Sequence, residues 1–135
     1  YVGRGSFSML KDVEISMAKH LSAARKSIDD AGANKSLVRI MGDVITCKLY
    51  AKFNELEKML FRFINHDPVI ELKFYEMIYD DVYSRFQPVI GTYHKDLRIT
   101  RIEHRVEHDL GYSLSVIYLN HDLEKLIVNR QVTIP

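Results

Sequence analysis

Six histidines, one cysteine and eight tyrosines have the widest chemical reach in this chain, and their spacing decides which chemistry is open to them. His104 and His108 stand four residues apart. In an extended chain that spacing separates them by roughly 13 Å, too far to share one metal ion. On a helix the same pair, with Glu103 and Glu107 beside it, would sit on one turn and chelate. The segment reads as a strand, so the expectation is no metal site, and no cofactor is called for. Asn65-His66-Asp67 recurs as Asn120-His121-Asp122. A His–Asp pair can form an oriented general base, but both copies fall where a helix begins, and capping of the first turn is the expected role. Cys47 lies in a strongly apolar stretch, which suits a buried small hydrophobe better than a reactive thiolate. Ala33-Asn34-Lys35-Ser36 lacks the glycines of a phosphate loop.

Arg98 and His104 are separated by five residues. That spacing resembles the active-site motif of the HEPN family of helical ribonucleases, whose Arg and His sit on a late helix of a helical bundle. The resemblance covers seven residues and implies a metal-independent ribonuclease with Arg98 and His104 as catalytic candidates. A broader nucleic-acid reading draws on Arg98, Arg101 and Arg105 together with Lys48 and Lys52, as phosphate contacts. Glu103 and Glu107 interleave with two of these arginines and point equally to cross-strand ion pairing. Tyr75, Tyr79 and Tyr83 recur every fourth residue, and Phe86 continues an adjacent stripe. This aromatic arc is wider than one packed helix face needs, which makes these four residues the expected protein-binding surface.

Hydrophobic periodicity gives the elements that must position these groups. Apolar residues at Leu10, Val13, Met17, Leu21, Ala24 and Ile28 predict an amphipathic helix over about 9–31, closed at Ala31–Asn34 by a left-handed cap. Residues 1–8 read as a cloning scar or a cut end. Leu37, Ile40, Met41, Val44, Ile45, Leu49, Phe53, Leu56, Leu60 and Phe63 predict a second helix over 36–65, with Gly42 tolerated at a close crossing. Asp67-Pro68 reads as N-cap and first position of a third helix over 68–87, stopped by Gln87-Pro88.

From residue 98 the period changes to two, which predicts strands over 98–108 and 112–120 joined by an Asp109-Leu110-Gly111 loop. That loop would pair His104 with Val116 and Ile102 with Tyr118, keeping one apolar face. The rival reading of the segment is a helix capped by Gly111. A short helix is expected near 122–128, and residues 131–134 are expected to add a third strand. The fold class is therefore α+β, with a three-helix layer followed by a small antiparallel sheet packed on it, in one domain over 9–135.

Composition sets the outer limits. The chain has 135 residues, 47% of them hydrophobic, and a formal net charge of +1. A chain of this kind can bury roughly two-thirds of its unfolded surface without disulfides or metal. It does not read as disordered, and its balanced charge supplies no global field for polyanions. The absence of a ~20-residue apolar run and of a secretory leader leads to an expected cytoplasmic location without membrane association. The leading functional expectation is a non-enzymatic interaction or assembly subunit, a homo-oligomer with a dimer favoured or a complex with another protein. Nucleic acid is the alternative partner.

Overall fold

The computed structural model describes residues 2–26, 35–50 and 52–135, with side chains from residue 9 onward and excluding 25 and 26. The chain is α+β, with four helices and a four-stranded antiparallel sheet among the described residues. The first helix, α1 (Val2–Lys26), runs back through the residues read as a scar. Its expected cap at 31–34 lies outside the described residues. Val13, Met17 and Leu21 recur at helical spacing and are fully buried.

The predicted second helix over 36–65 is instead a β-hairpin followed by a shorter helix. Strands β1 (Lys35–Met41) and β2 (Val44–Tyr50) pair with Ile40 opposite Ile45 and Val38 opposite Cys47. Gly42 has φ +60° in the two-residue Gly42-Asp43 turn that joins them. A hairpin turn with positive φ at its first central residue favours glycine, which explains this residue better than a helix crossing does. Val38, Ile40, Val44, Ile45 and Thr46 are β-branched and fit a pleated surface, while Leu37, Ile40, Met41, Val44 and Ile45 imitate a helical stripe. The hairpin wins because alternate residues Val38, Ile40, Ile45, Cys47 and Leu49 all reach the core.

Helix α2 (Glu55–His66) starts with a capping box. Glu57 N–H donates to Asn54 Oδ1 at 2.8 Å, and Asn54 N–H donates to Glu57 Oε1 at 3.2 Å. Asp67 then caps α3 (Pro68–Gly91) by accepting from the Val69 and Ile70 amides, as its position before Pro68 predicts. Helix α3 continues past the expected stop at Pro88. An internal proline costs about 3 kcal/mol. Buried Val82, Phe86 and Ile90 form one stripe across it, and interring Ile90 beyond the proline offsets that cost. Gln87 secures the helix end, donating to Leu97 O at 2.9 Å and accepting from Ile99 N–H at 2.7 Å.

Strands β3 (Ile99–Glu107) and β4 (Tyr112–Leu119) occupy nearly the expected ranges, but the register differs by one residue. Ile102 faces Ile117, His104 faces Ser115 and Val106 faces Ser113. The turn spans four residues, with Gly111 at φ +75° and Glu107 O accepting from the Leu110 and Gly111 amides. The shift turns Ser113 and Ser115 inward together with Ile117 and Leu119, and places Tyr112, Leu114, Val116 and Tyr118 on the other face. Asp122 caps α4 (Leu123–Val128), accepting from Lys125 N–H at 3.0 Å. Residues 131–134 form no strand. Thr133 N–H donates to Tyr93 O at 2.8 Å, which lays the tail along the end of α3.

The strand order is β1-β2-β4-β3. Core residues of α1, α3 and α4 meet inward residues of all four strands, so the helices cover one face of the sheet. The helical layer interleaves with the strands along the chain and does not precede them. Each edge strand has an amide held by a helix side chain: Ile40 N–H donates to Glu14 Oε2 at 2.9 Å on β1, and Val106 N–H donates to Tyr75 Oη at 3.3 Å on β3. Such contacts blunt edges that would otherwise recruit another strand. Tyr93 Oη lies 2.8 Å from Ser16 Oγ and ties α1 to the end of α3.

Gly42→Ala is expected to cost about 1–2 kcal/mol, because a Cβ meets no neighbour there but forces a left-handed conformation on alanine. A fall in the urea midpoint at unchanged m-value would show it. Burial pushes the Tyr93 phenol above its ordinary 10.0, partly opposed by the Ser16 contact. A raised folded pKa contributes stability in full below the ordinary value and loses it as pH rises through the folded value. Tyr93→Phe should therefore flatten the alkaline limb of the stability–pH curve, and an unchanged limb would contradict this.

Candidate functional site

Four groups of residues carry the chemistry expected from the sequence, and the structure treats them differently. Arg98 and His104 are not brought together. Six steps of nearly extended chain separate them by about 20 Å. Arg98 Nη1 donates to the carbonyls of Lys95 and Leu97 at 2.8 and 2.9 Å, folding back on its own turn. His104 faces the helices, with Nδ1 2.8 Å from Ser115 Oγ. The helix on which the ribonuclease motif depends is a strand here. A Ser–His hydrogen bond is also the starting point for nucleophilic catalysis. Ser115 is only 2% exposed, however, so the pair serves as a buried polar contact across β3 and β4.

The tyrosine face of α3 is largely structural. Phe86 is fully buried, because it lies on the same stripe as Val82 and Ile90, and it is corrected from binding surface to core. Tyr79 and Tyr83 stack at 6.2 Å and pack partly against that core. Tyr75 holds the β3 edge, and burial raises its phenol pKa, with Glu71 contributing in the same direction and the Val106 amide opposing. Together Tyr75 and Tyr79 line a cleft of about 440 Å³ between α3 and β3, beside Glu71, Glu103, His104 and Arg105. Phe53, Phe61 and Phe74 make successive edge contacts at 5.6 and 5.8 Å, and Phe61 stacks on His108 at 6.2 Å. This aromatic row seats the inner side of α2.

The outer side of α2 was missed. Leu56, Met59, Leu60 and Phe63 are 75%, 61%, 53% and 65% exposed and form one stripe at helical spacing. The Asn54-Glu55-Leu56-Glu57 capping signature could have marked a helix start there. Treating residues 36–65 as one long helix hid it.

The basic residues are regrouped as well. Lys48, Arg101 and Arg105 share the sheet face that none of the described helices covers, whereas Lys52 follows β2 and Arg98 precedes β3. Lys48 lies on β2 and Lys58 and Arg62 on α2, so the lysines and arginines of residues 36–65 do not share one helix. Asp67 and Asp122 both cap helices, and Asn120 clamps the start of β3 by accepting from Arg98 N–H at 2.8 Å.

Among the described residues no group of three His, Cys, Asp or Glu is placed to hold a metal ion, and no helix is long and apolar enough to cross a membrane. Cys47 is buried in the core. No family model, no curated protein and no solved structure matches the chain. Function is therefore argued from its surfaces.

Tyr75→Phe removes the acceptor at the β3 edge. A hydrogen bond of this kind contributes about 1 kcal/mol, so amide exchange at Val106 should accelerate several-fold with the fold retained. Equal protection in both proteins would remove the edge-capping role.

Proposed function

We propose that the chain is a non-enzymatic assembly subunit that pairs with a second copy of itself through α2. The observation that carries this reading is the exposed stripe of Leu56, Met59, Leu60 and Phe63, on the side of α2 turned away from Phe61 and Ile64. An amphipathic helix normally turns such a stripe toward a core. Val69 and Leu72 on α3 are exposed too. These six exposed side chains bring the apolar area of this end of the molecule to the upper part of what a monomer ordinarily leaves open.

Charge placement favours a second copy in antiparallel orientation. Glu55 and Arg62 are seven residues, about two turns, apart and lie on the same flank of the stripe. A two-fold axis between Lys58 and Met59 sets each Glu55 level with the partner's Arg62 on the same flank, whereas parallel pairing leaves each Glu55 two turns away from the partner's Arg62. Glu55 also contacts Lys58 at 3.7 Å but remains largely exposed. This supports α2 over the tyrosine face of α3, whose aromatics pack partly inward.

The test is sedimentation equilibrium or light scattering across a concentration series. The parent chain should run as a dimer. Leu60→Glu enters the interface twice and should weaken association by about 100-fold or more while leaving the circular dichroism spectrum unchanged. A parent that stays monomeric at the highest attainable concentration would overturn the proposal.

A further inference from the structure

We propose that the sheet face left open by the described helices binds single-stranded nucleic acid, a second activity independent of pairing through α2. Strand register aligns this face in rows. Lys35, Tyr50, Tyr112 and Glu107 form one row, and Leu37, Lys48, Leu114 and Arg105 form the next. Arg39, Thr46, Val116 and Glu103 follow, and then Met41, Val44, Tyr118 and Arg101.

The distribution across the rows is ordered. All three tyrosines lie on the central strands β2 and β4. The edge strands carry Lys35 and Arg39 on β1 and Arg101 and Arg105 on β3, so an aromatic centre is bordered by cations on both sides. Five cations, including Lys48, stand against two carboxylates. Those carboxylates, Glu103 and Glu107, are each paired with the neighbouring arginine, Arg101 and Arg105.

This arrangement matches the needs of an unpaired strand. Bases stack on aromatic rings regardless of sequence, and phosphates are neutralised by surrounding cations. The rings already take cationic company: Lys48 Nζ lies 4.0 Å from the Tyr112 ring centre and 5.0 Å from that of Tyr50, and the Arg101 guanidinium lies 5.3 Å from that of Tyr118. A bound strand would keep both partners, with bases on the rings and phosphates on the same cations. A duplex offers only its phosphates, because its base faces are already stacked. An acidic protein would use the cations but would gain little from three flat rings on the central strands.

The experiment is fluorescence anisotropy with a labelled twelve-nucleotide oligouridylate and a duplex of equal length, over a salt series. The single strand should bind at least ten times more tightly than the duplex. Its log affinity should fall with log salt at a slope of roughly −2 to −3, as three or four neutralised phosphates require. Tyr112→Leu and Tyr118→Leu should each weaken binding by about 5- to 100-fold, and Arg39→Glu should weaken it and flatten the salt slope. Thermal melts check folding; if one tyrosine variant unfolds, the other and Arg39→Glu decide. Leu60→Glu on α2 should bind as the parent does, which separates this proposal from self-association. Absence of binding up to about 100 µM at low salt, equal affinity for duplex, or indifference to the tyrosine and arginine changes would overturn it.

Discussion

The antiparallel pairing of β2 with β4 joins an early hairpin to a late one, and the remaining packing follows from it. Val44 to Tyr50 must find Tyr112 to Tyr118 across more than sixty intervening residues. Closing such a loop costs entropy that only burial can offset. The pairing offsets it by aligning Ile45, Cys47 and Leu49 with Ser113, Ser115 and Ile117 on one side, where α1, α3 and α4 close over them. Side-chain period two then dictates the rest. Whatever alternates with the core residues is placed on the opposite face, and that face carries tyrosines, cations and aliphatics in registered rows.

Helix cover on one side gives the molecule a closed side and an open side. The sheet edges are guarded by Glu14 and Tyr75, so lateral growth by strand addition is opposed at both ends. Contacts with other molecules are left to side-chain surfaces. Two stand out: the aliphatic stripe of α2 and the basic aromatic face of the sheet. They differ in chemistry and in the elements that carry them, which allows one to mediate pairing while the other engages a different class of ligand.

Much of this architecture was legible from residue order. Asp67-Pro68 and Asp122 announced helix starts, and Val13, Met17 and Leu21 announced the inner face of α1. The alternation after Ile99 announced strands, and the α+β class followed. Residues 35–50 misled because Leu37, Ile40, Met41, Val44 and Ile45 follow a helical stripe, although in the hairpin they fall on both faces of the sheet; the Gly42-Asp43 turn and the β-branched content were the deciding signals. The β3–β4 register misled because a three-residue loop keeps one apolar face, whereas the four-residue turn places Ser113 and Ser115 inward. Ser115 is buried against His104, and two polar groups that hydrogen-bond each other can replace an apolar pair. Pro88 misled because the burial of Ile90 outweighs a local helix-breaking preference. The candidate surfaces were the least legible, since residues of both were assigned to a helix that does not exist.

The central claim is that α2 of one chain lies antiparallel against α2 of another. Cys47, the chain's single cysteine, is fully buried and leaves a new surface cysteine free for selective labelling. Pulsed dipolar spectroscopy on a nitroxide placed at His66→Cys, at the exposed end of α2 and away from the inferred two-fold axis, reads pairing and orientation together. A narrow intermolecular distance of roughly 25 Å that disappears when unlabelled chain is mixed in excess is the predicted result. Labels that lie side by side at position 66, as parallel pairing requires, or that give no intermolecular signal at concentrations where scattering detects dimers, would contradict the account.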